Sequence, residues 1–172
     1  LSLEAALRED FNVPGPRPAQ VALWQDKLAM YRMFRDAGVP TPETEAVVSA
    51  AQLQAFAARV GYPLVCKPAV GVGAAGVFSL RSAEEVHARL ATIPERAVVQ
   101  PFVDGRIVTF DGVVDRAGQV VFSFSLEYSH GVMEVIRDGL DISFWTHREV
   151  SPSLAQLGTA VLKALGLKER WF

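Results

Sequence analysis

The stretch that decides the fold is GYPLVCKPAVGVGAAGVFSL, residues 61–80. Its first half is typical of an apolar strand that delivers Lys67 to its end, and its last four residues indicate a second strand. Between them, Gly71, Gly73 and Gly76 form a turn of small residues in which backbone N–H groups can approach a ligand closely. A lysine fixed beside such a turn predicts an anion-binding site.

Two common phosphate-binding motifs do not match this stretch. A Walker-type loop requires G-x-x-x-x-G-K-[ST], whereas here Lys67 precedes the glycines. A dinucleotide-binding loop opens a helix, whereas residues 77–80 read as a strand. A lysine followed by a glycine-rich hairpin therefore favours a nucleotide triphosphate in another type of nucleotide-binding fold.

Composition narrows the class of protein. The chain has 172 residues, half of them hydrophobic, which predicts one domain or two small ones. A net charge of −2 argues against a nucleic-acid-binding surface, and no apolar run approaches the ~20 residues that span a bilayer. Cys66 is the only cysteine, so no internal disulfide forms, and no secretory signal is visible. These features predict a soluble cytoplasmic protein.

The secondary structure expected from periodicity and capping residues is mixed. Helices are predicted over residues 3–11, 19–37, 50–60, 83–90 and 152–165. Strands are predicted over residues 45–48, 64–67, 77–80, 97–100, 131–136 and 142–146, with a hairpin pairing 107–115 with 120–127. The pattern predicts an α+β fold with antiparallel hairpins, in two lobes joined near residues 100–105.

Four motifs occur in a fixed order along the chain. Asp26-Lys27 precedes AGVPTP at 37–42, and GYPLVCKP at 61–68 leads into the glycine loop. VVQPFVDG at 98–105 and TFDGVVD at 109–115 follow. From about Val21 to its end the chain resembles the ATP-grasp superfamily, especially its carboxylate–amine ligases. It is similar more distantly to biotin carboxylase and D-alanine–D-alanine ligase.

The resemblance implies specific contacts with ATP. Lys27 and Lys67 would contact the phosphates, and the loop that contains Gly71, Gly73 and Gly76 would close over them. The segment after residue 99 would be the hinge that holds the adenine.

At this hinge, Gln100 would occupy the first position. Pro101 would accept a hydrogen bond from the exocyclic amine through its C=O, and Val103 would donate its N–H to a ring nitrogen. A proline is compatible with position 101 because only an acceptor is needed there.

The resemblance also implies an organisation and a reaction. Residues 1–20 would be the tail of a preceding domain with its linker, 21–39 a connecting helix, 40–99 the lid and 100–172 a truncated core. ATP would convert a carboxylate to an acylphosphate, which an amine or similar nucleophile would then attack. ATP and a small carboxylate are the expected partners, without nucleic acid or membrane, and a homo-oligomer is compatible with the sequence.

The chain begins at Leu1 and stops at two aromatic residues after a helix, which predicts an internal fragment, incomplete at both ends and inactive by itself. The Mg²⁺ ligands of the family would follow Phe172, so no metal site is expected within the chain, and no catalytic residue is assigned.

Two departures from the family keep other functions open. Gln100 stands where a glutamate is usual, and Ile107 stands where a ribose-binding carboxylate is usual. They favour, as an alternative, a non-catalytic nucleotide-binding or regulatory module of the same fold. A third interpretation is a purely structural interaction domain.

Some titratable residues outside the motifs have both a functional and a plain interpretation. Glu127 and Glu134 are either a carboxylate pair or solvent-facing strand residues. Arg137, His147 and Arg148 are either substrate-pocket cations or ordinary surface residues.

Overall fold

A computed structural model describes residues 1–71 and 75–172 of the chain. In these residues the helices are α1 (Ser2–Asp10), α2 (Pro18–Gln25), α3 (Lys27–Asp36), α4 (Ala50–Val60), α5 (Ala83–Arg89), α6 (Val132–Asp138) and α7 (Pro152–Leu165). The strands are β1 (Glu45–Ala46), β2 (Leu64–Pro68), β3 (Phe78–Leu80), β4 (Ala97–Pro101), β5 (Ile107–Val108), β6 (Asp111–Val114), β7 (Val120–Phe124), β8 (Leu126–Tyr128), β9 (Phe144–Thr146) and β10 (Arg170–Trp171).

The chain divides into two compact units. The glycine-loop unit comprises Gln25–Tyr31 and Thr41–Gly105, and the terminal unit comprises Leu1–Trp24, Arg32–Pro40 and Arg106–Phe172. The helices combine with antiparallel sheets, which confirms the predicted α+β class. The lid and core limits given by the sequence stay a prediction.

The sheet of the glycine-loop unit has the order β1-β4-β2-β3, with each strand antiparallel to its neighbour. Alternate residues of a strand point to opposite faces, so Leu64 and Cys66 lie on one face and Lys67 on the other. Leu64 and Cys66 are fully buried against Phe56 of α4 and Val86 of α5. The face of Leu64 and Cys66 thus packs against the helices, and Lys67 lies on the other face.

Capping residues set the limits of the helices on this core. The Ser49 side chain accepts a hydrogen bond from the N–H of Gln52 (3.1 Å), and the Ser82 side chain accepts one from the N–H of Glu85 (3.3 Å). Gly61 ends α4 with a φ of 83°, a conformation that favours glycine. These limits agree with the sequence prediction.

The terminal unit contains sheets of order β10-β6-β7 and β5-β8-β9. The predicted hairpin of residues 107–127 is therefore divided: β6 pairs with β7, but β5 pairs with β8 in the other sheet. α7 begins after Ser151, whose side chain accepts from the N–H of Leu154, and ends at Gly166 with a φ of 63°.

The single helix predicted over residues 19–37 is wrong, because the chain breaks at Asp26 into α2 and α3. One carboxylate oxygen of Asp26 accepts from the N–H groups of Leu28 (2.9 Å) and Ala29 (3.0 Å), as a helix N-cap does. The Asp26 backbone also forms a bridge with Val70. Apolar periodicity alone did not reveal this cap.

The strand predicted over residues 131–136 is also wrong, since α6 covers this segment. Its β-branched residues favoured a strand, but the Glu134 carboxylate accepts from the N–H of Gly131 (3.0 Å) and stabilises a first helical turn. Gly139 ends the helix with a φ of 64°.

In the described part of the chain, no helix has both the length and the apolar character needed to cross a bilayer.

Candidate functional site

Lys67 lies near the end of β2, directly opposite Val98 of β4, and its side chain is half-buried. Burial first, and then the charge of Lys27, hold the pKa of Lys67 below its usual value. No described residue forms a salt bridge with Lys67 or accepts a hydrogen bond from its ammonium group. Among the described residues, neither Lys67 nor the nearby Lys27 forms a salt bridge with a carboxylate.

Lys27 is held by two hydrogen bonds, one from its backbone and one from its side chain. Its backbone N–H donates to the carbonyl of Ala69 (2.8 Å), just past the end of β2. Its Nζ donates to the carbonyl of Gly71 (3.0 Å), the first residue of the glycine loop. Lys27 thus connects the start of α3 to the loop that the sequence assigned to phosphate binding.

Asp26 and Arg96 complete this connection. Arg96 Nη2 lies 3.0 Å from Asp26 Oδ2, while Asp26 Oδ1 caps α3. The carbonyl of Arg96 accepts from the N–H of Ala69 (2.8 Å). Sequence analysis missed Arg96, because a pair of residues 70 positions apart leaves no local signal.

The described part of the glycine loop requires glycine at both ends. Gly71 has a φ of 141°, and Gly76 has a φ of 71°. A Cβ at position 76 would also lie 3.1 Å from Pro68 Cγ, so a side chain there would force a local shift. Gly73 lies outside the described residues.

The hinge segment uses its side chains and backbone differently. The Gln100 amide donates to the hydroxyl of buried Thr44 (2.6 Å), which in turn donates to the carbonyl of Pro42 (2.9 Å). An ionised glutamate could not donate a hydrogen bond to Thr44. This bond therefore explains why the chain has a glutamine at position 100. The side chains of Phe102 and Val103 are exposed.

The backbone of β4 alternates between its two neighbours. Phe102 N–H donates to Pro63 on the β2 side (2.9 Å), and the Ala97 carbonyl accepts from Val47 on the β1 side (2.9 Å). Even-numbered residues therefore bond towards β2 and odd-numbered residues turn away from it. Since β1 pairs with β4 only at Val98 and Val99, the carbonyl of Pro101 lies beyond that pairing in the described structure.

A second charged cluster lies in the terminal unit. The carboxylate of Glu127 is buried and lies 3.3 Å from Arg106 Nη1 and 2.9 Å from His147 Nε2. The interpretation of Glu127 and Glu134 as solvent-facing strand residues is therefore wrong, since Glu127 is enclosed and Glu134 caps α6. The cluster depends on the pairing of β5, β8 and β9, which the sequence did not reveal.

Among the described residues, no three or more His, Cys, Asp or Glu side chains lie together as they would around a metal ion. Asp26, the acidic residue that precedes Lys27 in the chain, already accepts hydrogen bonds at both carboxylate oxygens.

Comparison with known proteins gives matches along most of the chain. A family model described as an ATP-grasp domain matches residues 24–169. The D-alanine–D-alanine ligase of Gloeobacter violaceus is 30% identical over 137 residues, covering 70% of this chain and 44% of the relative. The chain spans less than half the length of the curated relatives that it matches first.

Solved structures share the fold. The L-amino acid ligase of Bacillus licheniformis superimposes with a TM-score of 0.75 at 18% identity, over 99% of this chain and 41% of that chain. The biotin carboxylase domain dimer of the Hydrogenobacter thermophilus 2-oxoglutarate carboxylase, in complex with MgADP, ADP and bicarbonate, gives a TM-score of 0.68 at 17% identity. That match covers 95% of this chain and 39% of the neighbour.

These matches confirm the resemblance drawn from the ordered motifs, including the likeness to D-alanine–D-alanine ligase and biotin carboxylase. Because the family model covers more than half of its residues, the chain belongs to the ATP-grasp family.

Proposed function

We propose that this chain is the ATP-binding part of a ligase that activates a carboxylate. One observation carries the proposal: the half-buried ammonium of Lys67 lies near Lys27 with no anionic partner among the described residues. An unpaired, partly desolvated cation costs free energy unless a ligand supplies the opposite charge. The triphosphate of ATP, with its four negative charges, meets that need.

The backbone of the hinge segment supports the proposal that the adenine binds there. The carbonyl of Pro101 turns away from β2 and lies beyond the pairing with β1, so an exocyclic amine could donate to it. If the same alternation continues past the strand, the N–H of Val103 lies on the same side and would donate to a ring nitrogen of the adenine. Gln100 would keep its structural bond to Thr44 and position this backbone rather than contact the nucleotide.

The reaction we propose has two steps, with ATP as a substrate. A carboxylate oxygen attacks the γ-phosphorus, and ADP leaves with the electron pair of the broken P–O bond. An amine nitrogen then attacks the acyl carbon, inorganic phosphate leaves, and the nitrogen gives up a proton. Lys27 and Lys67 would hold the phosphates and neutralise the charge that moves to the β-phosphate.

Mg²⁺ would supply additional positive charge to the phosphates. Because the described residues contain no cluster of metal-binding side chains, we expect its protein ligands to lie outside them. We also expect a small carboxylate as the second substrate and a cytoplasmic location. A homo-oligomer fits the family, since one solved neighbour is a domain dimer.

One observation favours the alternative of a non-catalytic nucleotide-binding module. Ile107 is 44% exposed on β5, where the family resemblance calls for a carboxylate that binds ribose. An isoleucine there cannot hydrogen-bond to a sugar hydroxyl. Nucleotide binding by such a module would not lead to turnover.

Calorimetric titration of the parent protein with ATP tests nucleotide binding. Lys67→Met removes the charge and nearly keeps the length of the side chain. We expect a loss of about 10- to 100-fold in ATP affinity, the effect of one hydrogen bond to a charged group. Arg81→Gln, an exposed charge change in the same unit, is the matched control. Equal affinities in the wild type and in Lys67→Met would contradict the proposal.

A second measurement separates the enzyme from the module. Phosphate release from ATP is followed with each of the D- and L-amino acids supplied in turn. Release that depends on one of these carboxylates supports the ligase. ATP binding without such release supports the module.

A further inference from the structure

Arg96 lies on the same face of the sheet as Lys67. The register pairs Pro68 with Ala97, and the N–H of Ala69 donates to the carbonyl of Arg96, so Arg96 stands directly opposite Ala69. Residues that are directly opposite share a face, and so do residues two apart along a strand. Lys67 and Arg96 are therefore diagonal neighbours on the face opposite to that of Leu64 and Cys66.

The guanidinium of Arg96 is oriented but not saturated. One of its donors reaches Asp26 Oδ2 at 3.0 Å, and no other described residue accepts a hydrogen bond from it. A guanidinium has five N–H donors, and the side chain is 73% exposed. Donors thus remain available to a ligand while Asp26 fixes the position of the group.

The charges in this group do not cancel. Lys27, Lys67 and Arg96 carry three positive charges, whereas the carboxylate of Asp26, which pairs with Arg96 and caps α3, carries one negative charge. The net charge of plus two favours a polyanion, and the carboxylate reduces the repulsion between cations while no ligand is bound. Neither lysine offers the planar, forked donor geometry of an arginine.

We propose that Arg96 is a third phosphate-binding residue, held in place by Asp26, which makes the site selective for nucleotides with longer phosphate chains. The proposal rests on the nucleotide binding proposed above. Lys27 and Lys67 would bind as point charges, whereas Arg96 would bind one phosphate through two parallel N–H donors. Each further phosphate of the ligand then adds a contact that a monophosphate cannot make.

The test compares ATP, ADP and AMP binding to the parent protein and to three variants. Arg96→Gln should weaken ATP binding about tenfold, an estimate reduced for the exposure of the guanidinium, and should leave AMP binding within about twofold. Arg96→Lys keeps the charge but not the forked donor geometry of the guanidinium, so its loss of ATP affinity should be smaller. Arg81→Gln, with the same charge change on an exposed residue of the unit, should match the wild type.

A structural role would give a different result. If Arg96 only supported the fold, Arg96→Gln would weaken all three nucleotides equally, and that outcome would overturn the proposal. Hydrogen exchange at the amide of Ala69, which donates to the Arg96 backbone, reports whether the local structure survives the substitution. An ATP affinity unchanged in Arg96→Gln would also overturn it.

Inorganic tripolyphosphate separates this inference from the proposed function. Binding of tripolyphosphate that depends on Arg96, without binding of ATP, would support the third cation and contradict the nucleotide function. Binding of ATP that depends on Lys67 but not on Arg96 would contradict the inference alone. Failure of the wild type to bind either compound would overturn both.

Discussion

The two units of the molecule treat buried charge in opposite ways. In the terminal unit, the buried carboxylate of Glu127 is in contact with the side chains of Arg106 and His147. In the glycine-loop unit, the half-buried ammonium of Lys67 receives no anion from the described residues, and Lys27 depresses its pKa further. The charges of the first cluster are paired within the protein, whereas we propose that a ligand supplies the anion for the second. A buried charge without a partner, which costs free energy in the unliganded protein, is therefore a stronger indication of a binding site than a buried charge that is paired.

The largest effect should come from opening the completed cluster. Glu127→Ala removes the buried carboxylate that contacts Arg106 and His147, so we expect the free energy of unfolding to fall by about 3 kcal/mol. Urea unfolding measures this loss. Glu149→Ala, a change at an exposed acidic residue of the same unit, should alter the free energy of unfolding by less than about 0.5 kcal/mol.

A fall as small as that of Glu149→Ala would mean that Glu127, despite its burial, contributes no more than a surface carboxylate. The contrast between the two units would then be lost.

A smaller effect should follow from disturbing a complete network inside the glycine-loop unit. Gln100→Glu replaces the NH₂ that donates to Thr44 by a second acceptor, while the Thr44 hydroxyl is already donating to Pro42. We expect the free energy of unfolding to fall by about 2 kcal/mol. In a Thr44→Val background the same change should cost less, and a full double-mutant cycle by chemical denaturation measures the coupling. Additive losses would contradict the network.

The smallest effect should have the opposite sign. Lys67→Met removes a half-buried charge that has no anionic partner among the described residues. We therefore expect the apo protein to become more stable by about 0.5 kcal/mol while its affinity for ATP falls, a common trade between stability and function. Denaturation of the apo protein at pH 7.5 measures the gain. Lys163→Met, on the exposed side of α7, is the control, and a loss of stability in Lys67→Met would contradict the interpretation.

The pH dependence of the folding stability tests the sign of the contribution of Lys67. Since the pKa of Lys67 is lower in the folded chain, the unfolded chain binds the extra proton between that lowered pKa and about 10.5. The penalty is present below this window, and stability rises as pH increases through it. In Lys67→Met that rise should disappear. Burial raises the pKa of Cys66 to about 11, which lowers stability in overlapping conditions, but this contribution is common to both proteins and cancels in their difference.

Local signals were sufficient for the part of the site that lies within one hairpin. The alternation in residues 64–67, the glycines after them and the caps Ser49 and Ser82 are all properties of neighbouring residues, and the strands and helices follow from them. The order of the motifs then identified the family.

The parts that the sequence did not predict depend on distant partners. The break at Asp26 arises because its carboxylate caps α3 and meets Arg96, which lies 70 residues away. The cluster around Glu127 requires the register of three strands, in which Glu127 stands opposite Val108 and Trp145. Hydrophobic periodicity carries no information about such pairings, so the cation at 96 and the completed cluster appeared only in three dimensions.

Cys66, which lies behind Lys67 on the buried face of the same strand, has a practical consequence. It is the chain's single thiol and is fully enclosed, and its high pKa keeps it in the unreactive neutral form. An alkylating reagent can therefore modify it only during excursions that open the core of this unit. The rate at which Cys66 is alkylated therefore measures how often the core of this unit opens. A ligand that stabilises the unit should lower this rate, and no label has to be introduced.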